Sequence, residues 1–247
     1  MANQSESGHA KNVANLGALI TVVVGFGEVY NPSKTALTAA ALATLNDRAK
    51  GVMHEMNGLE GAYNLAVDHR ELAFAPLGKL STRILNAIRS SDVAPQIVET
   101  VESLVRKLTG QRATPRLTEE EKAALVAEGT VVKEVSSSQM SFDNRLDSFD
   151  KLVQLLPNIP QYAPNEEELK VTTLVDLKET LSASNDAAVQ AGTALGNIRR
   201  VRNEVLYSPG TGVIDIAKAV KAYVKSLFGA TSLQYKQLSA LTFKDRG

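Results

Sequence analysis

Histidine, methionine and glutamate are the residues of this chain whose types and spacing could bind a metal ion. A di-iron site in a helical bundle requires Glu-x-x-His pairs on facing helices, and the chain has one such pair, Glu6 with His9. A zinc site requires three or four ligands, and only three histidines are present. The run at 53–56 reads Met-His-Glu-Met, but neighbouring side chains fan around a helix axis. We therefore expect His54 and Glu55 to face solvent and Met53 and Met56 to pack against other helices. We expect no metal site in this run.

The sequence lacks a cysteine nucleophile and the phosphate-binding motifs of common enzymes. The chain contains no cysteine, which excludes thiolate chemistry and disulfides. The glycine-rich runs at 25–27 and 210–212 lack the lysine and hydroxyl residue that complete a P-loop. With three histidines in all, residue spacing identifies no serine–histidine–acid set. We predict no catalytic residue, no cofactor and no enzymatic activity.

One basic cluster, formed by Arg199, Arg200 and Arg202, could bind an anionic group or a membrane surface. Asp68 and Glu71 occupy the related stretch of the first half, so opposite charges could pair between long helices. We favour ion pairing or a solvated face over ligand binding. The chain carries 27 basic and 27 acidic side chains, and this balance excludes the basic footprint of a general nucleic-acid binder.

A segment of the chain recurs about halfway along it. The run Tyr30-Asn31-Pro32 reappears 132 residues later as Tyr162-Ala163-Pro164. At this offset Leu37, Leu42 and Leu45 match Leu169, Leu174 and Leu177, and Ile20 and Val24 match Leu152 and Leu156. At a shorter offset Val101, Val105, Leu108 and Gly110 match Val220, Val224, Leu227 and Gly229. Such a repeat predicts two tandem copies of one helical unit.

Helical spacing dominates both copies. Apolar residues recur at helical intervals over 33–73 and 165–206, and no proline interrupts either range. Ser33 and Asn165 are candidate N-caps, because each follows a proline that ends an extended entry. We predict an all-α, elongated antiparallel bundle with two helices of roughly 40 residues, which at ~1.5 Å per residue are about 60 Å long.

Small residues interrupt both long helices, although glycine in a helix costs ~1 kcal/mol relative to alanine. Close approach of another backbone would explain them. We predict that the two helices meet along a seam formed by Gly51, Gly58, Gly61, Ala187, Ala191 and Gly192. The alternative is that the glycines only loosen or kink the helices.

The repeat and the composition of its flanks predict five regions. They are a mobile polar tail at 1–11, a first helical repeat at 12–110, a connector at 111–141, a second helical repeat at 142–229, and a C-terminal tail at 230–247. A capping box at Thr118 predicts a short helix in the connector. Leu241 and Phe243 are expected to hold the C-terminal tail against the bundle.

The N-terminal region contains the most apolar stretch of the chain, at 16–26. It falls well short of the ~20 residues of a membrane span, so we expect a buried helix. The first residues show no basic segment followed by a cleavage pattern. We therefore expect a cytoplasmic location.

The second copy carries four runs that together resemble a family of uncharacterised bacterial all-helical proteins. They are Ser138–Arg145, Tyr162–Glu166, Arg202–Tyr207 and Val220–Gly229. The resemblance covers about the C-terminal half of the chain. It implies an all-helical fold, and it implies no activity and no site residues.

Duplicated long helices without a catalytic set are typical of structural or protein-interaction proteins. We predict a non-enzymatic protein whose partner is a further copy of itself, in an oligomer or filament, or another protein. The alternative is a membrane-interacting or pore-forming-like helical protein that uses the apolar segment at 16–26.

Overall fold

The computed structural model describes residues 4–111, 127 and 140–245, and within these ranges all regular structure is helical. The helices are α1 (Gln4–Val24), α2 (Ala39–Phe74), α3 (Leu77–Arg89), α4 (Pro95–Thr109), α5 (Phe142–Leu155), α6 (Val171–Tyr207), α7 (Val213–Phe228) and α8 (Leu233–Ser239). The predicted all-α class is confirmed. Almost all of the predicted connector at 111–141, including its short helix, lies outside the described residues.

The two long helices begin later than predicted, α2 at Ala39 and α6 at Val171. Each is preceded by a tight 3-10 turn, Thr35–Leu37 or Glu167–Leu169. The hydroxyl of Tyr30 donates to the carbonyl of Leu37, the last residue of the first turn. The hydroxyl of Tyr162 donates in the same way to the carbonyl of Leu169, and both bonds measure 2.7 Å. Each bond keeps its turn separate from the helix, and the predicted N-caps at Ser33 and Asn165 are wrong for that reason. The helices have 36 and 37 residues.

The chain forms two compact units that cut across the predicted repeats. Unit 1 comprises Met1–Tyr63 and Ala191–Gly247, and unit 2 comprises Asn64–Gln190. The bounds of these units differ from the predicted repeats at 12–110 and 142–229, because α2 and α6 each contribute one part to each unit. Each unit contains elements from both halves of the sequence, so neither repeat has a core of its own.

Unit 1 is built around α1, which packs against α7 and α8. Its core contains Leu19 and Val23 from α1, Leu42 from α2, and Val220 and Val224 from α7. These residues follow the helical spacing that buries one side of each helix. A neighbouring part of the core joins Leu16 and Ala49 to Val205 and Leu206.

The C-terminal tail lies along α1 in unit 1. Asn12 donates from its amide to the carbonyl of Lys244 over 2.8 Å and accepts from the same residue's N–H over 2.9 Å. Asn15 donates to the carbonyl of Thr242 over 2.6 Å, and Phe243 packs against the core. The expected apolar attachment of the tail is confirmed, and two asparagines add hydrogen bonds that the sequence did not reveal.

Unit 2 packs α3 against α4, and α4 against α5. Phe74, Ile84, Val101, Phe149 and Leu181 are among its buried core residues, one from each of the five helices that contribute to it. The apolar faces of α3 and α4 are strongly segregated from their polar faces, which is the pattern of helices that cover a core on one side.

The burial pattern corrects the predicted alignment of the two halves. Leu16, Leu19 and Val23, which are buried residues of α1, share their spacing with Phe149 and Leu152 of α5 and with Leu156, which directly follows α5. This spacing is one residue out of the predicted register. Likewise Val213, Ala217, Val220 and Val224 of α7 share their spacing with Leu77, Ser81, Ile84 and Ile88 of α3, not with residues of α4. The duplication itself stays a prediction.

Candidate functional site

The predicted helix seam is wrong at most of its positions. A Cβ atom built on Gly51, Gly58 or Gly61 would meet no atom of the described residues within 4 Å, so these glycines lie on an outer face of α2. Ala187 is exposed. Among the glycines of the predicted seam, Gly192 alone has the expected close neighbour within the described residues, because its Cβ would lie 3.3 Å from the ring of Tyr63.

The contact between α2 and α6 in unit 1 is made by larger side chains. Met56 packs with Leu195 and Ile198, and Glu60 forms an ion pair with Arg199 over 3.4 Å. Ala49 lies in one core cluster with Val205, Met56 packs with Ile198 and Tyr63 meets Gly192. Over these three contacts the residue number rises along α2 as it falls along α6, so the two helices are antiparallel in this unit, as predicted.

We expect Gly58→Ala to stabilise the protein by about 0.5–1 kcal/mol, because alanine has the higher helix propensity and its methyl group meets open space. Urea unfolding measures the change. Gly192→Ala is the matched control, since its methyl group would press on the ring of Tyr63 and offset the gain. A loss of stability in Gly58→Ala would mean that another backbone does approach this face.

The basic cluster does not converge on one ligand. Arg199 pairs with Glu60, as the preference for opposite-charge pairing predicts. Arg200 is exposed and donates to the side chain of Asn197 over 2.5 Å. Arg202 is only 2% exposed, and one of its nitrogens lies 3.1 Å from the sulfur of Met56. The three guanidinium groups thus have separate local roles.

His9 is a buried residue that the sequence analysis assigned to a mobile tail. The structure places it in α1 at 2% exposure, with its Nδ1 atom 2.5 Å from the hydroxyl of Tyr207. The two rings meet edge to face, with centroids 5.6 Å apart. The helical spacing of His9, Val13 and Leu16 was the signal that could have identified this packing. At this depth the pair supports the core of unit 1.

A corresponding aromatic pair in unit 2 is surrounded by charge. Phe142 meets Phe74 edge to face at 5.0 Å, and the guanidinium of Arg70 lies 4.2 Å from the centroid of the Phe142 ring. Arg145 donates to the carbonyl of Phe74 over 2.9 Å, and burial lowers the pKa of its guanidinium. These cations hold helix ends together by cation–π contact and hydrogen bonding.

An amide continues this polar network. Asn185 accepts from Arg70 over 3.2 Å and donates to the carboxylate of Asp143 over 2.7 Å. The network joins α2, α5 and α6 inside unit 2. The network positions these helices, and the amide of Asn185 is used on both its oxygen and its nitrogen. The buried Nε atoms of Arg70 and Arg145 have no hydrogen-bond partner among the described residues.

One cavity in unit 2 is lined by side chains of α3 and of the segment that contains Tyr162. Its volume is about 570 Å³. Its lining residues are Arg83, Asn86, Ala87, Ser90, Ser91, Gln161, Tyr162, Ala163, Pro164, Asn165, Glu166 and Leu169. Burial, assisted by Glu166, raises the pKa of Tyr162 to about 12, so its hydroxyl stays protonated and keeps its bond to Leu169.

The sequence candidates for metal chemistry are dispersed. His54 and Glu55 face solvent and Met56 is buried, which confirms the expected arrangement of that run. In the part of the chain that the structure describes, no three side chains of the metal-binding types lie together.

The apolar segment at 16–26 supplies the core of unit 1. Leu16, Leu19 and Val23 are buried there, whereas Val24 is exposed. Among the described residues, no helix has the length and hydropathy needed to cross a membrane.

The fold and the contacts define an all-α helical protein whose buried polar groups organise its helices. Neither a family model, nor a curated protein, nor a solved structure matches this chain. The resemblance of the C-terminal half to uncharacterised bacterial proteins stays a prediction.

Proposed function

We propose that this chain is a non-enzymatic protein-interaction protein that associates with copies of itself through an exposed face of α2 in unit 2. The observation that supports this most directly is the exposure of Leu65 and Leu72, which are 59% and 71% exposed. Seven residues apart, they lie two turns apart on the same face of the helix.

Burial of these two leucines would favour association. Covering a leucine side chain contributes about 1.5–3 kcal/mol when the burial is complete. Asp68 and His69 lie between the two leucines on the same face, so the apolar area of an interface here is small and interrupted by polar groups. The zero net charge provides little repulsion between copies. An interface with a small apolar centre is expected to be weak and concentration-dependent.

The charged side chains inside the units support a structural role. Arg70 and Arg145 hold the helices of unit 2, and Arg199 and Glu60 link the two long helices of unit 1. These groups stabilise the arrangement of helices that displays the α2 face.

We expect the double variant Leu65→Lys, Leu72→Lys to remain monomeric where the wild-type protein associates. Light scattering coupled to gel filtration, over a concentration series, measures the mass. The wild-type mass should rise above 26.5 kDa as concentration increases, because more of the leucine face becomes covered.

Val24→Lys is the matched control, since Val24 is an exposed apolar residue of α1 in unit 1. It should leave the association unchanged. A wild-type mass that stays at the monomer value at every concentration would contradict the proposal. An equal loss of association in the control would assign the effect to general surface hydrophobicity.

A further inference from the structure

Tyr30 and Tyr162 occupy the same local structure in units 1 and 2. Each donates to the carbonyl seven residues later over 2.7 Å. Tyr30 directly follows the 3-10 turn Gly27–Val29, and Tyr162 lies four residues after the 3-10 turn Leu156–Asn158. Both rings are buried. Any difference in packing around the two rings therefore comes from the neighbouring residues and not from the tyrosines themselves.

In unit 1, another tyrosine packs against Tyr30. The ring of Tyr223, on α7, meets it edge to face, with centroids 5.3 Å apart and an interplanar angle of 81°. Aromatic pairs favour this geometry, because the positive edge of one ring faces the negative face of the other.

In unit 2, the position that corresponds to Tyr223 is occupied by alanine. The buried residues of α3 and α7 share one spacing, which matches Ile88 with Val224. Tyr223 immediately precedes Val224, and Ala87 immediately precedes Ile88. Both α3 and α7 contact the 3-10 turn that follows their unit's buried tyrosine. The change from a phenol ring to a methyl group opens space beside Tyr162, and Ala87 and Tyr162 both line the 570 Å³ cavity.

The edge of the cavity is polar and carries one carboxylate. Asn86, Gln161 and Asn165 provide amide groups and Glu166 provides the carboxylate, while Arg83 is paired with Glu168. Such an edge suits hydroxyl, amide or peptide groups, which accept and donate hydrogen bonds. The carboxylate disfavours an anionic ligand.

We propose that this cavity binds a tyrosine-like aromatic ring from another molecule, which packs against Tyr162 as Tyr223 packs against Tyr30. The ring fills the space above Ala87, and its polar substituents meet the amide edge. The ring's source is a free phenolic compound or a tyrosine of a partner peptide, and both present the same group. The inference does not depend on the Leu65–Leu72 face.

The test uses N-acetyl-L-tyrosinamide as the probe and the full chain as the receptor. We expect changes in the amide NMR shifts of Ala87, Ser90 and Tyr162 that saturate with a dissociation constant on the order of 1 mM, as befits a small ligand. p-Cresol in a parallel titration separates the two sources. Equal affinity indicates recognition of the ring alone, and tighter binding of the tyrosinamide indicates a peptide.

A large side chain at position 87 should fill the cavity and prevent the probe from binding. We expect Ala87→Tyr to raise the melting temperature and to reduce probe-induced shifts at least tenfold, because the new ring takes the position of the ligand. Ala87→Phe provides the same test without the hydroxyl. Thr82→Tyr is the control, since Thr82 is an exposed residue of α3 outside the cavity.

The reverse change tests the comparison in unit 1. Tyr223→Ala should lower stability and create a new probe site, with shifts at Tyr30. The proposal is overturned if the wild-type protein shows no saturable shifts at Ala87 and Tyr162, or if the shifts persist in folded Ala87→Tyr and Ala87→Phe. Should both filled variants fail to fold, an absence of probe binding beside Tyr30 in Tyr223→Ala would equally overturn it.

Discussion

Replacing Phe74 with alanine is expected to lower the free energy of unfolding by about 3–5 kcal/mol, the usual cost of removing a buried aromatic ring. Phe74 is fully buried in the core of unit 2. Its ring meets Phe142 edge to face, and the guanidinium of Arg145 lies 5.4 Å from its centroid. Alanine removes these contacts and leaves a cavity. Urea unfolding gives the free energy, and hydrogen exchange shows which residues lose protection.

Leu72→Ala is the matched control for Phe74, because it lies two residues earlier on the same helix and is largely exposed. It should change the free energy of unfolding by less than about 0.5 kcal/mol, as surface changes usually do. Measurements at low concentration keep self-association from contributing. A small effect of Phe74→Ala, or a loss of protection outside residues 64–190, would contradict the assignment of Phe74 to the core of unit 2.

Arg202→Ala is the second change with a large expected effect, a loss of about 2–4 kcal/mol in unit 1. Arg202 is one of the largest fully buried side chains. Its guanidinium contacts the side chains of Met56 and Asn203. Alanine removes both the packing of the long stem and the hydrogen bonds of the head, and buried groups that lose a partner are costly. Urea unfolding and hydrogen exchange measure the effect.

Arg202→Met separates packing from charge, because methionine keeps most of the volume and removes the guanidinium. Replacement of a buried charged group by an apolar side chain of similar size is often tolerated, so we expect less than half of the loss seen with alanine. Arg200→Ala, an exposed neighbour, should have little effect. Equal losses in the methionine and alanine variants would show that hydrogen bonding, and not packing, determines the role of Arg202.

Helical periodicity in the sequence was sufficient to determine the fold class and the two long helices. Both helices end within a residue of the predicted positions, at Phe74 and Tyr207, since a proline follows two residues later in each case. Their beginnings could not be predicted, because a side-chain bond from Tyr30 or Tyr162 holds the preceding residues in a separate turn. Local spacing does not contain that information.

The burial of each side chain decided which of the predicted site residues take part in helix packing. The small size of Gly51, Gly58 and Gly61 suggested a seam between helices. The sequence does not show whether a glycine faces another helix or solvent, and these three lie on an outer face of α2. His9 was predicted to be mobile because polar residues surround it in sequence, although one face of the helix carries it into the core beside Tyr207. Which side of a helix is covered depends on helices far away in the chain.

The sequence by itself determined an all-helical protein with recurring tyrosine–proline segments and no thiol chemistry, because residue types and local periodicity are sufficient for such statements. Only the tertiary structure decided that each compact unit combines parts of both halves, that Arg202 is buried, that Tyr223 packs against Tyr30, and that Ala87 and Tyr162 line one cavity. These facts depend on contacts between residues distant in the chain, and the pairing of distant residues follows from packing the whole molecule rather than from any local pattern.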